Sequence, residues 1–298
     1  MASSRLWRLQ HRYAPQIFIS PFFILFAVFL FYPLTRSLYL SFCATIGPRH
    51  VRFIGLGNYA HLIHDPYFWL STGNTAVYVL VFLLVQIPAS VGLAVLLNSQ
   101  VVKFKSFFRF AFFSTHLVGQ VFVAVVFGQL LGPRHGLLSR FLFFISGGSL
   151  EIPWLTHPVL ARVSILLAWL WLSIGYGMIF CLAALQSVDR NLYEAAEVDG
   201  AGTWSRFFHI TLPGIRPVLV FLILVGLIGG FQLFELPFVI FRGPGPGLAG
   251  LTIVEYLFTT GFEAGNLGYA STIGWALALI ILAAAILQLR LTGEGEEA

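Results

Sequence analysis

Seven polar or aromatic side chains lie in apolar stretches where they could line a path for a polar solute. Glu235 is the only carboxylate among them, and an ionised group at membrane depth costs about 2.5 kcal/mol or more, which favours a functional role. The alternative is that Glu235 lies at the wetted outer end of its segment. Amides can hydrogen-bond a solute's hydroxyl groups and aromatic faces can stack on its rings, although membrane aromatics more often pack or anchor at the interface. The candidates are Glu235, Gln232, Gln86, Gln120, Gln129, Trp171 and Tyr176.

The most polar stretch of any length reads "EAAEVDGAGTWSRFFHITLPG" and runs from Glu194 to Gly214. Its pattern predicts a short helix that begins after Asp189, because an Asp side chain can cap the first N–H groups of a helix. Leu192, Ala195 and Ala196 then fall on one face of that helix, with the carboxylates off this face. The stretch therefore begins with a helix whose one face carries small apolar side chains.

A second short helix is expected after the first. Gly200 and Gly202 end the first helix, since glycine adopts the positive φ of a C-terminal turn without penalty. Thr203 can cap the second helix, and Pro213 ends it because proline cannot continue a helix interior. The apolar face of the second helix consists of Trp204, Phe207 and Phe208.

The resulting helical hairpin has two interpretations. An amphipathic hairpin can rest on lipid headgroups, but helices in that role usually present a basic face. The carboxylates of Glu194, Glu197 and Asp199 would face an anionic leaflet unfavourably. They suit a protein partner better.

Several kinds of chemistry lack the residues that they need. The two cysteines, Cys43 and Cys181, form no CxxC or Cys/His spacing and are expected to be small buried hydrophobes, so neither a metal site nor a redox pair is indicated. No GxxxxGK[ST] motif is present, so the chain has no P-loop for ATP. His116 lies in an apolar segment but has no acidic partner nearby in sequence, which argues against an intramembrane enzyme.

Composition places these residues in a membrane protein. The chain is 58% hydrophobic and 10% charged, with a mean hydropathy of +0.87. A soluble domain typically carries about 25% charged residues. The net charge of +5 accompanies basic residues that flank apolar runs, which indicates membrane topology rather than nucleic-acid binding.

Six apolar stretches are long enough to cross a bilayer as helices, which predicts an all-α polytopic membrane protein. The first follows a basic segment that resembles the start of a signal peptide, but its length and the lack of a cleavage site favour a retained helix. The predicted spans are 17–42, 74–97, 107–131, 159–185, 218–241 and 269–289.

The distribution of Lys and Arg predicts the orientation of these spans. Both lysines, Lys103 and Lys105, and the basic N-terminal segment fall on the same side. Because positive residues are enriched in cytoplasmic loops, this side is expected to be the cytoplasm. Both termini and the 188–216 loop would then be cytoplasmic.

The loop between the fourth and fifth spans resembles the EAA motif of ABC importer permeases. Glu194-Ala195-Ala196 is followed after three residues by Gly200, and after nine more by the Ile210-Thr211-Leu212-Pro213 sequence. The motif's long form has this spacing. The resemblance implies an ATPase-coupling role for Glu194, Ala195, Ala196, Asp199, Gly200, Ile210, Leu212 and Pro213.

Other segments extend the resemblance over nearly the whole chain. "FIGLGNYAHLIHDPYFW", "AWLWLSIGYGMIFCLAALQSVDRNLYEAAEVDGA", "FQLFELPFVIF" and "GFEAGNLGYAST" are similar to carbohydrate permeases of the MalF/UgpA type. Two segments depart from the family pattern. "RGPGPG" stands where a Thr-x-Gly-Gly-Pro pattern is usual, and "STHLVGQ" lacks the proline that usually follows paired phenylalanines. These departures bear on pocket shape.

The resemblance implies a type I ABC importer transmembrane fold. It divides the chain into a cytoplasmic segment 1–16, a transmembrane domain 17–291 with a coupling loop 188–216, and a cytoplasmic tail 292–298. It also implies a multi-pass protein of the inner or plasma membrane. The implied partners are a second, MalG-like permease, two ATPase subunits that hold ATP and Mg²⁺, an extracytoplasmic solute-binding protein and a sugar. No cofactor is expected in this chain, and no nucleic acid is expected as a partner.

Alternative substrates and classes stay open at this stage. Glycerol-3-phosphate or a polyol is possible, but a phosphate would need arginines near the pathway, and only Arg36 and Arg162 approach it, toward span ends. An ion-coupled secondary transporter would need intramembrane ion-coupling groups, for which Glu235 is the one candidate.

Overall fold

The computed structural model describes residues 13–14, 16, 18–47, 50–99, 101–133, 136–147 and 152–293. The N-terminal segment 1–12, most of the tail after residue 292, and the basic residues Arg49 and Arg134 lie outside this part. The helices, in chain order, are α1 (Phe18–Ser41), α2 (Gly57–His64), α3 (Pro66–Asn98), α4 (Lys105–Ser114), α5 (Gln120–Leu130), α6 (Leu137–Ile145), α7 (Pro158–Ser187), α8 (Arg190–Val198), α9 (Thr203–Arg206), α10 (Arg216–Phe231), α11 (Glu235–Phe241), α12 (Ile253–Phe258) and α13 (Leu267–Thr292).

Four of these helices, α1, α3, α7 and α13, are long and apolar enough to cross a membrane. Two further spans are possible among the described residues if each of two bent helix pairs counts as one. The first pair is Lys105–Leu117 with Gln120–Leu130, bent by 99°, and the second is Thr203–Gly214 with Arg216–Phe231, bent by 66°. The fold is all-α and polytopic, as predicted.

The predicted third span, 107–131, is not one continuous helix. The side chains of Ser114 and Thr115 donate to carbonyls of the preceding turn, at 3.0 and 2.8 Å, and such bonds compete with regular helix geometry. A 3₁₀ turn, Thr115–Leu117, follows, and Val118 and Gly119 are extended. The chain therefore turns sharply before α5 begins.

The predicted fifth span, 218–241, is also interrupted, between α10 and α11. Pro237 has no N–H to bond the carbonyl of Leu233, four residues earlier, as a continuous helix would require. The hydroxyl of Thr252 donates to that carbonyl instead, at 2.8 Å. A tertiary hydrogen bond thus replaces the missing helical one, and the helix breaks at Gln232–Phe234.

The described chain forms two compact units. The first contains the described residues up to Asp65 and Leu257–Ala276, and includes a hairpin of β1 (Cys43–Ile46) and β2 (His50–Phe53), paired antiparallel from Cys43↔Phe53 to Ile46↔His50. The side chain of Asn58 donates to the carbonyls of Ser41 and Cys43 at 3.0 and 2.9 Å. The sequence analysis did not predict this hairpin.

The second unit contains the described residues of Pro66–Tyr256 and those from Leu277 onward. Its two hydrophobic clusters lie mainly between α3 and α7, one around Tyr78, Phe82 and Trp169 and the other around Met178. Cys181 lies in the second cluster, and both Cys181 and Cys43 of the first unit are free and buried, as predicted.

Side chains of α3 hold the 242–252 segment in the second unit. Asn74 donates to the carbonyls of Leu248 and Leu251 at 2.9 and 3.2 Å, and the hydroxyl of Tyr78 donates to Ala249 at 2.7 Å. Arg162 of α7 donates to the Asn74 Oδ1 at 3.2 Å. The proline- and glycine-rich segment is therefore fixed by hydrogen bonds to its backbone.

Candidate coupling hairpin and solute cavity

The acidic hairpin (residues 189–214) begins with α8. The carboxylate of Asp189 accepts a hydrogen bond from the Asn191 N–H at 2.9 Å, which confirms the predicted cap. Such a cap satisfies one of the N–H groups that a helix leaves unpaired at its start. The first helix of the hairpin is thus defined by its own sequence.

Gly200 ends α8 with a φ of +78°. Its N–H donates to the carbonyl of Glu197 at 3.1 Å, and the N–H of Ala201 donates to the carbonyl of Ala196 at 2.8 Å. These two bonds form a Schellman motif, in which the residue after the cap adopts a left-handed conformation. Ala196, the second alanine of the EAA motif, and Gly200 are four residues apart, which is the spacing that a Schellman turn requires.

The second arm of the hairpin differs in detail from the prediction. The cap position is Gly202 rather than Thr203, and no side chain makes a cap hydrogen bond there. The arm continues from α9 through a π-helical turn, Phe207–Thr211, and a last short turn, Leu212–Gly214. Pro213 lies within that last turn, so the arm ends one residue after it.

Two contacts join the arms. The hydroxyls of Tyr193 and Thr211 are 3.0 Å apart, and Arg206 donates to a carboxylate oxygen of Glu197 at 3.0 Å. The ion pair is solvent-exposed on the Glu197 side and therefore contributes little stability. The contacts fix the relative position of the arms.

The surface of the hairpin is suited to a protein partner. Glu194, Ala195, Asp199, Gly200 and Pro213 are exposed, whereas Ala196, Ile210 and Leu212 are half-buried. The rings of Trp204 and Phe208 stack 6.0 Å apart and are 75% and 54% exposed. A cleft of about 580 Å³ lies beside α8. Its lining includes Arg190, Tyr193, Glu194 and Glu197.

A second feature of this unit is a cavity of about 260 Å³ among α3, α7, α10, the 3₁₀ turn after α4 and the start of α5. Three of the predicted pathway residues, Gln86, Gln120 and Tyr176, line it. The complete lining is Phe82, Gln86, His116, Gln120, Trp169, Ser173, Tyr176, Leu222, Val225, Gly226 and Gly229. The structure therefore brings together polar side chains of α3, the 3₁₀ turn, α5 and α7.

Gln86 is held in place by hydrogen bonds within the helix pair. Its amide nitrogen donates to the hydroxyl of Ser90 at 3.3 Å, and that hydroxyl donates to the carbonyl of Ile174 at 3.1 Å. A side chain at Gly177 would place its Cβ 2.5 Å from both Gln86 Nε2 and Ser90 Oγ. The absence of a side chain at position 177 thus makes room for this pair.

The α7 wall of the cavity is a helical stripe, Trp169, Ser173 and Tyr176, at i, i+4 and i+7. The Trp169 ring stacks on Phe82 with centroids 3.5 Å apart, and the Tyr176 ring lies 4.6 Å from that of His116. The wall combines aromatic surface with hydrogen-bonding groups, which is typical of small-molecule binding sites.

The other four predicted pathway residues lie outside this cavity. Gln129, Trp171, Gln232 and Glu235 are exposed, and Glu235 begins the short helix α11. Trp171 points away from the stripe because it is two residues from Trp169, and its ring lies 6.0 Å from that of Phe127. Sequence reasoning missed four lining residues that the helical period from Tyr176 or from Gln86, or the polar character of the side chain, could have indicated. These are His116, Trp169, Ser173 and Phe82.

Two buried carboxylates lie outside the predicted spans. Asp65 accepts a hydrogen bond from the hydroxyl of Tyr269 in the first unit. Glu255 is fully buried in α12. Across the described ranges, no three His, Cys, Asp or Glu side chains form a metal-binding group.

The fold is all-α and polytopic, with a helical hairpin exposed between two membrane helices. A solved structure shares this fold, the bacterial ABC transporter involved in the import of the acidic polysaccharide alginate. Its chain has a TM-score of 0.84 and 24% identity, covering 98% of this chain and 100% of that one.

The chain belongs to the family described as binding-protein-dependent transport system inner membrane component, which matches residues 15–292. Two relatives are similar over most of their length. The arabinooligosaccharides permease AraP of Bacillus subtilis is 36% identical over 282 residues, 94% of this chain and 88% of its own. The lactose permease LacF of Rhizobium radiobacter is 34% identical over 274 residues, 91% of each. The chain is therefore a membrane-embedded permease component of an ABC importer and not an enzyme.

Proposed function

We propose that this permease imports a sugar and that a separate ATPase subunit drives it through the acidic hairpin. One observation carries the proposal: the two long helices that flank the hairpin both line the cavity. α7 contributes Ser173 and Tyr176, and α10 contributes Leu222 and Gly226. A displacement of the hairpin would therefore be transmitted directly to two walls of the cavity, which is a rigid-body coupling between two states.

The energy source in this proposal is ATP with Mg²⁺ on the partner ATPase. The sequence contains no P-loop, so another chain must hold the nucleotide. The exposed motif residues on α8 and the ring pair Trp204 and Phe208 supply a surface of mixed apolar and acidic character. Interfaces are enriched in such aromatic anchors.

The substrate in this proposal is a mono-, di- or oligosaccharide. The names of two relatives, for arabinooligosaccharides and lactose, support a sugar. The cavity adds amide, hydroxyl and aromatic groups of the kind that bind sugars. A relative from Yersinia enterocolitica, 30% identical over 282 residues, is a permease for sn-glycerol-3-phosphate, so that solute is the competing candidate.

The assembly in this proposal contains a second, similar permease, two ATPase subunits and an extracytoplasmic binding protein. A solved relative supports the last of these, since the alginate transporter was crystallised with a periplasmic protein that carries an alginate pentasaccharide. The termini and the hairpin would face the cytoplasm. This orientation agrees with the enrichment of basic residues in cytoplasmic loops, because the predicted topology places Lys103 and Lys105 on the same side of the membrane as the hairpin.

Gly200 tests the coupling role. Among the described residues, and its two chain neighbours aside, no atom lies within 4 Å of a Cβ built at Gly200, so a side chain there has open space around it. We expect Gly200→Asp to abolish ATP-driven sugar uptake into proteoliposomes, because the side chain would project into the docked ATPase. Membrane insertion and co-purification with the second permease should persist.

Gly147 provides a matched control. It is exposed, has a φ of +64° and likewise has no atom within 4 Å of a built Cβ, but it follows α6 outside the hairpin. Gly147→Asp makes the same demand on the backbone and should leave uptake close to wild type. Unchanged uptake by Gly200→Asp, or equal loss by both variants, would contradict the coupling role.

A further inference from the structure

The short helix α6 takes part in neither the acidic hairpin nor the solute cavity. It has nine residues, and a helix needs about 20 to cross the hydrocarbon core, so α6 is not a span. It lies in the connection between α5, which ends at Leu130, and α7, which begins at Pro158. The hairpin follows the other end of α7, a 30-residue helix about 45 Å long. Because α7 is long enough to cross the membrane, α6 lies at the membrane surface opposite the hairpin.

One face of α6 is a stripe of large apolar side chains. The stripe consists of Leu137, Phe141, Phe144 and Ile145, whose spacing of i, i+4, i+7 and i+8 places them on one side of the helix. All four are between 59% and 85% exposed. A helix of this kind at a membrane boundary buries its apolar face at the junction of headgroups and acyl chains. Its position between two membrane helices therefore indicates lipid as the cover of the stripe.

A cleft of about 500 Å³ lies beside the stripe, and we call it the α6 cleft. Arg140 and Phe143 of α6 line it, together with Ile152, Pro153 and Thr156 from the segment before α7. Arg140 is three residues after the first stripe residue and four before the third, so it adjoins the stripe on the helix surface. The volume equals about 17 water molecules at about 30 Å³ each, which is enough for a phosphate group with its glycerol.

The α6 cleft carries a positive charge without a counter-charge. Arg140 makes no ion pair or hydrogen bond among the described residues, where the one ion pair belongs to the hairpin. The sequence has no Asp or Glu between Asp65 and Glu151, so α3 to α6 contain no carboxylate. A guanidinium forms strong charge-assisted hydrogen bonds with phosphate oxygens, and the exposed hydroxyl of Thr156 is a further donor. These groups suit a phosphate at the edge of an apolar surface.

We propose that α6 and its cleft bind a phospholipid at the membrane surface opposite the hairpin. The apolar stripe lies among the acyl chains, and the lipid phosphate binds Arg140 and Thr156 in the α6 cleft. One cation balances one phosphate, so the site accepts glycerophospholipids with neutral or acidic headgroups alike. The bound lipid holds the connection between α5 and α7 at the bilayer surface. This site does not depend on which solute the permease imports.

A fluorescent label tests what covers the stripe. Cys43 and Cys181 are buried, so a bimane label on Phe144→Cys is selective in the complete transporter in nanodiscs. We expect phospholipids with brominated acyl chains to quench this label at least threefold more strongly than aqueous iodide does. Val198→Cys is the matched control, since Val198 is also a highly exposed apolar residue but lies on the hairpin. Brominated lipid should leave its label unquenched.

Two results of the labelling experiment would overturn the proposal. Stronger quenching of the Phe144→Cys label by iodide than by brominated lipid would show that the stripe faces water. Protection from both quenchers would show that a protein subunit covers the stripe instead of lipid.

Arg140 tests the phosphate contact. The apparent affinity of the complete transporter for added lipid is measured by native mass spectrometry, with phosphatidylglycerol, phosphatidylcholine and a diglucosyl diacylglycerol of the same acyl chains. We expect the two phospholipids to bind within about threefold of each other and the phosphate-free glycolipid at least tenfold more weakly. Arg140→Gln should weaken both phospholipids at least fivefold. Arg52→Gln removes an exposed arginine of β2, outside the α6 cleft, and should change binding less than twofold.

The lipid series can contradict the proposal in four ways. Equal binding of the glycolipid, or unchanged binding by Arg140→Gln, would remove the phosphate contact. A tenfold preference for phosphatidylglycerol would show that the site selects net charge, and displacement by excess inorganic phosphate would show that it binds the free anion. If Arg140→Gln does not assemble, Arg140→Lys decides: it should weaken both phospholipids about twofold to fivefold without affecting the glycolipid, and unchanged affinity would overturn the contact.

Discussion

The acidic hairpin and the cavity lie in the same unit, but different forces define them. The hairpin is held by contacts within 26 residues of chain, such as the Asp189 cap and the bonds between Gly200, Ala201 and α8. The cavity exists only because α3, α7, α10 and the turn carrying His116 pack together. Local hydrogen bonds thus suffice to form the hairpin, whereas the cavity requires the packing of several helices.

The largest expected effect is at Gly175 of α7, where this helix lies very close to the backbone of α4. A Cβ on Gly175 would lie 1.9 Å from the backbone oxygen of Phe112, so α4 would have to move away from α7. We expect Gly175→Ala to destabilise the protein by about 1–3 kcal/mol and to lower its melting temperature in detergent by several degrees.

Gly73 is the control for this prediction, since it lies inside α3 and has no atom within 4 Å of a built Cβ. Gly73→Ala should be neutral or stabilise by up to about 1 kcal/mol, because alanine is the better helix former. Similar melting temperatures for the two variants would show that the approach of α4 to α7 is not tightly packed.

An intermediate effect is expected at the start of the hairpin. Asp189→Ala removes the cap of α8 and should lower the local free energy of unfolding by about 1 kcal/mol. Hydrogen exchange of the amides in α8 should accelerate about fivefold while α7 stays protected. Asp199→Ala, at the other end of α8, should not accelerate exchange, because an acidic group at a helix C-terminus is unfavourable. Loss of protection throughout α7 as well would contradict a locally held hairpin.

The smallest effects are expected at the contacts between the two arms. Tyr193→Phe removes the hydroxyl contact with Thr211 and should cost about 1 kcal/mol or less. Glu197→Gln breaks the exposed ion pair with Arg206 and should change stability by less than about 0.5 kcal/mol. Amide exchange in residues 203–211 measures both, and a larger effect of Glu197→Gln than of Tyr193→Phe would reverse this ranking.

Structural features that are set by residues close in sequence were largely predictable. The cap at Asp189 and the positive φ of Gly200 follow from side chains and spacing within one turn. The N-cap of the second arm was predicted at Thr203, one residue after its actual position at Gly202. The break after α10 also had a local signal, Pro237, but its meaning depended on the hydroxyl of Thr252 from a distant segment. The bend at Val118–Gly119 had only weak signals in Ser114 and Thr115.

The sequence by itself determined that this protein is a helical membrane permease with an EAA-like motif between two spans, because apolar length and motif spacing are properties of consecutive residues. Only the tertiary structure decided which polar side chains meet. Gln86, Gln120 and Tyr176 reach one cavity, whereas Gln129, Gln232 and Glu235 do not. The physical reason is that the face a membrane helix turns inward is set by close packing against its neighbours, which uniform hydrophobicity along the helix does not encode.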